Sequence, residues 1–134
     1  MARYVIDAPT LLHLLDNDLQ VGTGHQLAAP SIIRSEALQL LLDDVRRGAR
    51  TDREAMATHR QLTELKMRLL GDRMSRGTAW KIARERDWDM LRDAEYLAVT
   101  RLQADALVTV DPALAARAEG IVPVAPLQAL LQQA

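Results

Sequence analysis

The sequence of 134 residues contains no cysteine and no phenylalanine. Without cysteine the chain can form neither disulfides nor thiolate metal sites. The three histidines, His13, His25 and His59, share no helical spacing and form no ligand motif. Any metal is therefore expected to be held by oxygen, which suits Mg²⁺ or Mn²⁺ better than a structural zinc ion. Because only two tyrosines and two tryptophans are present, the core must consist mainly of Leu, Ala, Val and Ile.

Long apolar runs are missing as well. The chain starts Met-Ala-Arg-Tyr with no extended hydrophobic stretch behind it, so we expect no signal peptide and no membrane span, and a cytoplasmic protein. The length fits a single domain, residues 1–134, with one core. No Gly-x-Gly-x-x-Gly motif or phosphate loop occurs, which argues against a nucleotide-binding Rossmann domain.

The charges are unevenly distributed although the net charge is only −1. Residues 46–92 carry thirteen Lys or Arg against seven Asp or Glu, and most of the cations are arginines, which suit phosphate contact. Arg46, Arg47 and Arg50 are candidates for such contact. A charge run of this kind is more often a solvated helical face, so the sequence leaves both interpretations open.

Short β-rich segments alternate with helical patterns along the chain. Strands are predicted at residues 2–6, near 67–69, at 106–110 and at 121–124. Helices are predicted at about 9–16, 31–48, 51–65, 78–86, 90–102, from Pro112 onward and at 126–132. Residues 18–28 are predicted to be loop. No hairpin signal such as Asn-Gly appears, so the alternation predicts an α/β domain with a mainly parallel sheet.

Several residues are predicted to begin or end these helices. Ser31 is a plausible N-cap of the second helix, and Gly48 should close that helix. Thr51-Asp-Arg-Glu54 has the pattern of a capping box. Gly71 and Gly77 are expected to flank a turn before the fourth helix, and Asp87 or Asp89 is expected to cap the fifth.

Two predicted strands are followed by aspartates. Asp7 comes directly after Ile6, and Asp111 directly after Val110. In a parallel sheet, ligands bind in the crevice at the carboxyl ends of the strands, so both acids should project toward one edge. The alternative is that each aspartate simply caps the helix that follows it. Asp105 precedes its strand and is therefore expected at the opposite edge.

Two further acids lie within apolar helices. Glu36 lies near the start of the second helix, and Asp93 beside the apolar stripe of the fifth. A carboxylate bordering the core is costly unless it is paired or binds a metal. Each could be a structural ion pair with an arginine, or part of a functional site.

Together these four acids form a stronger pattern than any one of them. Four carboxylates at one crevice repel each other, so divalent cations are the natural compensation, and at least one carboxyl group should have a raised pKa without metal. Such a site suits hydrolysis of phosphodiester bonds, with the cation activating water and stabilising the leaving oxygen.

Three segments resemble PIN domains. The opening YVIDAPTLLHLL and the segment APSIIRSEAL resemble the family's first strand and second helix. The segment RDAEYLAVTRLQADALVTVDPALA resembles its signature stretch, in which an acid-Ala helix leads into a strand ending Thr-x-Asp. The order and length are similar to VapC-type toxins over nearly the whole chain. Asp105 stands where a turn glycine is frequent, and residues 60–86 match nothing assignable, so substrate choice is expected there.

The resemblance implies a three-layer α/β/α domain and a metal-dependent endoribonuclease. Asp7, Glu36, Asp93 and Asp111 would be the catalytic acids that hold Mg²⁺ or Mn²⁺, and the hydroxyl of Thr109 would support them. The substrate would be single-stranded RNA. The chain would be a homodimeric toxin that inhibits translation and is neutralised by a cognate antitoxin protein.

Other functions are possible on the same pattern. One is a catalytically inactive PIN-fold interaction module, whose acids are structural. Another is a phosphatase of the aspartate-nucleophile class, which would need a second acid two residues after the strand-end aspartate. Asp7 is instead followed by Ala8 and Pro9, which argues against that chemistry.

Overall fold

A computed structural model describes residues 2–132. The elements, in chain order, are β1 (Arg3–Ile6), α1 (Ala8–Asp16), β2 (Gln26–Pro30), α2 (Ile33–Arg46), α3 (Asp52–Glu64), β3 (Arg68–Leu70), α4 (Arg73–Arg86), α5 (Arg92–Gln103), β4 (Ala106–Val108), α6 (Pro112–Ala118) and α7 (Leu127–Leu131). The strands form one sheet in the order β3-β2-β1-β4, and every neighbouring pair is parallel. The predicted α/β class with a mainly parallel sheet is confirmed.

Helices pack on the sheet in two groups. One group consists of α1, α2 and α3, which contact one another. In the other group, α5 contacts β1, β2 and β4, and α4 packs against α5. The middle strands are apolar enough to be covered on both faces: Val5 and Ile6 of β1 are fully buried. The resulting three-layer arrangement has its core in aliphatic side chains, as the absence of phenylalanine required.

The second strand was not predicted from the sequence. Although residues 26–28 were predicted to be loop and 29–30 to lead into the second helix, residues 26–30 form the strand β2, between β1 and β3. Its alanines and terminal proline have low strand propensity, and burial between two neighbours overrides that preference. The backbone N–H of Ser31 donates to the carbonyl of Leu70 at 3.2 Å. Ser31 therefore continues the strand pairing, and α2 begins at Ile33 without a side-chain cap.

The boundaries around α4 also differ from the prediction. This helix begins earlier, at Arg73, because Asp72 and Ser75 form a capping box. Gly77 lies inside the helix instead of in a turn. Asp87 ends α4 in the left-handed conformation, with φ of 55°, and does not cap α5.

Other predicted signals are confirmed. Thr51 and Glu54 form the capping box of α3. Gly48, with φ of 81°, follows the C-cap of α2 and adopts a backbone conformation that favours glycine. The last predicted strand is reduced to a single bridge between Val124 and Leu107, because flanking prolines supply no N–H groups for a ladder. Within the described chain, no helix is both long and apolar enough to span a bilayer.

Candidate active site

The carboxyl edge of the sheet brings the four predicted acids to one pocket of about 230 Å³. Asp7 directly follows β1. β4 ends at Val108 and not at Val110 as predicted, so Asp111 lies three residues after the strand. Glu36 comes from the first turn of α2 and Asp93 from the first turn of α5. Acids 104 residues apart along the chain thus line the same cavity, because parallel strands end at a common edge.

Asp7 is the most buried of the four, with 4% of its surface exposed. Its Oδ1 caps α1 by accepting from the backbone N–H of Thr10 at 3.3 Å and from the Thr10 hydroxyl. Its Oδ2 accepts from the hydroxyl of Thr109 at 2.8 Å. Burial raises the pKa of Asp7, and these hydrogen bonds offset only part of that rise.

Thr109 connects Asp7 to the backbone that carries Asp111. Its Oγ1 donates to Asp7 and accepts from the backbone N–H of Asp111 at 3.0 Å. The side chain of Asp111 accepts from the N–H of Ala113 at 2.9 Å and so caps α6. Asp111 therefore does both things that the sequence suggested: it lines the pocket and caps a helix.

Glu36 is held by a tyrosine and an arginine. The hydroxyl of Tyr96 donates to Glu36 Oε1 at 2.5 Å, and Arg92 Nε lies 3.5 Å from Oε2. Burial raises the pKa of Glu36; the Tyr96 hydrogen bond and Arg92 lower it, and the charges of Asp93 and Asp7 add to the rise. The pKa of Tyr96 is itself raised far above its usual value by burial and by Glu36, so its hydroxyl remains a donor.

Asp93 pairs with arginines, as the alternative interpretation of this residue suggested. Arg117 Nη1 lies 2.9 Å from Asp93 Oδ2, and Arg92 Nε lies 3.6 Å from Oδ1. The guanidinium of Arg117 also lies 5.0 Å above the ring of Trp88, a cation–π arrangement. Arg117 thus joins the acidic pocket to the segment that follows α4.

Four residues that organise the pocket were not predicted from the sequence: Thr10, Arg92, Tyr96 and Arg117. For two of them, the sequence contains a short-range spacing that could have identified the residue. Thr10 stands three residues after the cap Asp7, where an N-cap side chain bonds, and Tyr96 stands three residues after Asp93, on the same helix face. Arg117 has no such signal, because only the packing of α6 brings it to Asp93.

The donors of this pocket are oxygens, which match Mg²⁺ or Mn²⁺ in kind. Among residues 2–132, however, no three His, Asp or Glu side chains are already arranged to hold a metal ion. Each carboxylate instead bonds a protein donor: a threonine, a tyrosine, an arginine or a backbone N–H. We expected mutual repulsion to cause the raised pKa values; burial is the larger cause at both Asp7 and Glu36.

The opposite edge of the sheet carries other features. Asp105 lies there as predicted, and its Oδ2 accepts from the backbone N–H of Arg3 at 2.8 Å. A larger cavity of about 790 Å³ lies at the amino ends of β2 and β3, lined by the loop after α1 and by residues around Lys66. None of the four acids lines that cavity, so its size does not make it the site of the chemistry.

No protein-family model and no curated protein matches this chain. Several solved structures match its fold, among them the two that follow. PAE2754 from Pyrobaculum aerophilum is 24% identical over 97% of this chain and 94% of its own, with a TM-score of 0.73. VapBC-1 from nontypeable Haemophilus influenzae is 14% identical over 94% of this chain and 98% of its own, with a TM-score of 0.64. These likenesses establish the fold, and they confirm at that level the three-layer arrangement expected from the resemblance to VapC-type PIN domains.

Proposed function

We propose that this chain is a metal-dependent endoribonuclease that hydrolyses phosphodiester bonds of single-stranded RNA, and that it acts as the toxin of a toxin–antitoxin pair. The observation that carries the proposal is the convergence of Asp7, Glu36, Asp93 and Asp111 on one pocket at the carboxyl edge of a parallel sheet. The sequence motifs of VapC-type toxins around these acids, and the fold shared with VapBC-1, support it.

In this proposal Asp7, Glu36, Asp93 and Asp111 hold Mg²⁺ or Mn²⁺. The bound cation would supply a water of lowered pKa and would stabilise the charge that develops on the leaving oxygen. Asp7 is the most buried of the four, so its carboxylate would be the one most shielded from water when it holds the cation. Thr109 holds Asp7 toward the pocket, and Tyr96 does the same for Glu36.

The arginines of the pocket have a role in the metal-free protein. Arg117 and Arg92 neutralise Asp93 and Glu36, which would otherwise face each other across a cavity without a counter-charge. When a cation takes over that task, these guanidinium groups are free to contact a phosphate, whose geometry they match. The chain would act as a homodimer, and a cognate antitoxin protein would block the pocket.

The same ion pairs favour a second candidate function. A catalytically inactive PIN-fold interaction module would keep its acids neutralised by arginine permanently, as Asp93 and Glu36 are here. The two functions differ in one respect that is simple to measure: only the nuclease cleaves RNA, and only when a divalent cation is present.

The test is an RNA cleavage assay in Mg²⁺, in Mn²⁺ and in chelator. Wild-type protein should cleave a single-stranded RNA only with metal. Asp7→Asn removes one charge at nearly constant volume and should abolish cleavage. Asp105→Asn, at the opposite edge of the sheet, is the matched control and should retain full activity. Cleavage by folded Asp7→Asn at the wild-type rate would refute the proposed site, and no cleavage by wild type under any metal would favour the inactive module.

A further inference from the structure

One face of α4 points away from the protein and carries cations around an exposed tryptophan. Arg73, Gly77, Trp80 and Arg84 follow one another at helical spacing, opposite the buried side chains of the helix. Trp80 is 61% exposed, an unusual position for the largest apolar side chain. We call these four residues the α4 strip. It lies in the region that resembles no known motif.

Among residues 2–132, the cations of the α4 strip have no acidic partners. In the part of the chain that the structure describes, the ion pairs involve Arg47, Arg50, Arg92 and Arg117, and neither Arg73 nor Arg84 is among them. Arg76 and Lys81 flank the strip and are equally exposed and unpaired within those residues. This helix therefore presents positive charge that nothing described in the protein neutralises.

Gly77 leaves space beside the tryptophan. A Cβ added at Gly77 would meet nothing within 4 Å. No side chain, that of Trp80 included, comes within 4 Å of that position, so the helix surface at Gly77 is open. An exposed aromatic side chain with arginines on the same helix face is an arrangement on which an unpaired base can stack while its phosphates meet the cations.

The C-terminal end of the strip is near in sequence to a residue that is linked to the acidic pocket. From Arg73 to Arg84 the helix rises about 16 Å. Trp88 follows four residues after Arg84, and the guanidinium of Arg117 lies over its ring and pairs with Asp93 in the pocket.

We propose that the α4 strip binds an unpaired segment of RNA next to the scissile bond, with Trp80 stacking on a base and Arg73 and Arg84 contacting phosphates. This inference rests on the proposed function for the identity of the polymer. It assigns RNA binding to α4, within residues 60–86, where substrate choice was expected from the sequence. The sequence had also offered Arg46, Arg47 and Arg50 as candidates for phosphate contact. Two of those three, Arg47 and Arg50, are engaged by Asp44.

The experiment measures binding of a fluorescein-labelled single-stranded oligoribonucleotide in chelator, where no cleavage is expected. Trp80→Leu keeps an apolar side chain without an aromatic face and should weaken binding about tenfold, the usual scale for loss of one stacked base. Trp80→Phe should retain most of the affinity. Annealing the oligoribonucleotide to its complement should abolish the difference between Trp80→Leu and wild type, because paired bases cannot stack on the protein.

The arginines are tested by salt dependence. Replacing both Arg73 and Arg84 by Gln should reduce the slope of log K against log salt by about 1.4, since single strands lose about 0.7 per phosphate contact. Arg53 on α3 is exposed and has no ion pair among residues 2–132, so Arg53→Gln is the matched control and should leave the slope unchanged. Equal melting midpoints for all variants establish that folding is not the cause.

Three results would overturn the inference: affinities of wild type and Trp80→Leu that agree within about twofold, equal weakening by Phe and Leu, or a salt slope that responds to Arg53 and not to Arg73 and Arg84. If Trp80→Leu separates a dimer and leaves RNA binding unchanged, the strip is a contact between copies of this chain, and the inference is equally wrong. The assay is independent of cleavage. Trp80-dependent binding without cleavage would sustain the strip and refute the nuclease, and cleavage without such binding would do the reverse.

Discussion

Asp7 is buried and Glu36 is half-buried. Burial raises the pKa of each. A folded pKa above the unfolded one means that the contribution to stability is complete at low pH and is lost as the pH rises through the folded pKa. The proposed site therefore destabilises the metal-free protein at neutral pH. The same carboxyl groups would thus affect both the proposed catalysis and the stability of the fold.

The first prediction concerns this pH dependence. In chelator, the free energy of unfolding of Asp7→Asn should exceed that of wild type at neutral pH, because the amide caps α1 without a buried charge. The difference should shrink on acidification and vanish below the ordinary Asp pKa of 3.8. Urea denaturation across this pH range measures it, with Asp105→Asn as the control. A difference that is constant with pH would contradict the prediction.

The second prediction concerns Tyr96. Tyr96→Phe removes the donor to Glu36 and should raise the pKa of Glu36 further, since that hydrogen bond lowers it now. We expect a stability loss of about 1–2 kcal/mol at neutral pH and a pH–activity profile whose acidic limb moves to higher pH. Tyr4→Phe, on β1, removes a hydroxyl that contacts no acid of the pocket. A purely structural role for Tyr96 would lower stability and leave the acidic limb unmoved.

At the scale of elements, Arg50 joins segments that are distant in sequence. Its Nη2 lies 2.6 Å from Asp16 Oδ2 at the end of α1, and its Nε lies 2.7 Å from Asp44 Oδ2 on α2. Its side chain is only 16% exposed, so these bonds are shielded from water more than surface pairs are. At least one arginine of the basic middle of the chain is thus structural, because Arg50 joins α1 to α2.

The third prediction follows from this clamp. Arg50→Gln should destabilise the fold by roughly 1–3 kcal/mol, because it leaves Asp16 and Asp44 without their cation. Arg46→Gln, an exposed arginine without an ion pair among the described residues, should change stability by less than about 0.5 kcal/mol. Chemical denaturation compares the two variants. Equal and small effects would mean that the clamp contributes nothing to stability.

For the molecule as a whole, metal binding and folding should be coupled. The four acids come from β1, α2, α5 and the segment after β4, so only the folded chain brings them to one pocket. A ligand that binds the folded state alone stabilises it by about 2.7 kcal/mol at a hundredfold excess over its dissociation constant. For a chain of 134 residues this corresponds to several degrees in melting midpoint.

The fourth prediction is that Mg²⁺ or Mn²⁺ raises the melting midpoint of wild type at neutral pH relative to chelator, while Asp93→Asn gains little. The variant also loses the ion pair with Arg117, so it is compared with itself in chelator and not with wild type. Thermal melting with and without metal provides the measurement. Equal gains for both proteins would place the metal somewhere other than the four acids.

The sequence alone determined the features that depend on contacts between residues close together in the chain. Caps and turns act within a few residues, so the capping box of Thr51 and Glu54 and the glycine after α2 were predictable. The meeting of Asp7 and Asp111 at one edge of the sheet followed from the parallel pattern, since strands of one direction share a carboxyl edge, although β4 ends three residues before Asp111. The fold class followed from the alternation of strands and helices.

Only the tertiary structure decided which groups meet. β2 is a strand because β1 and β3 bury it on either side, against the low strand propensity of its alanines. Tyr96 bonds Glu36 across 60 residues and Thr109 bonds Asp7 across 102 residues, separations at which no local pattern operates. Folding decides which residues contact the acids and how deeply the acids are buried. The pKa values of Asp7 and Glu36 are raised by that burial, whose extent could not be predicted from the sequence.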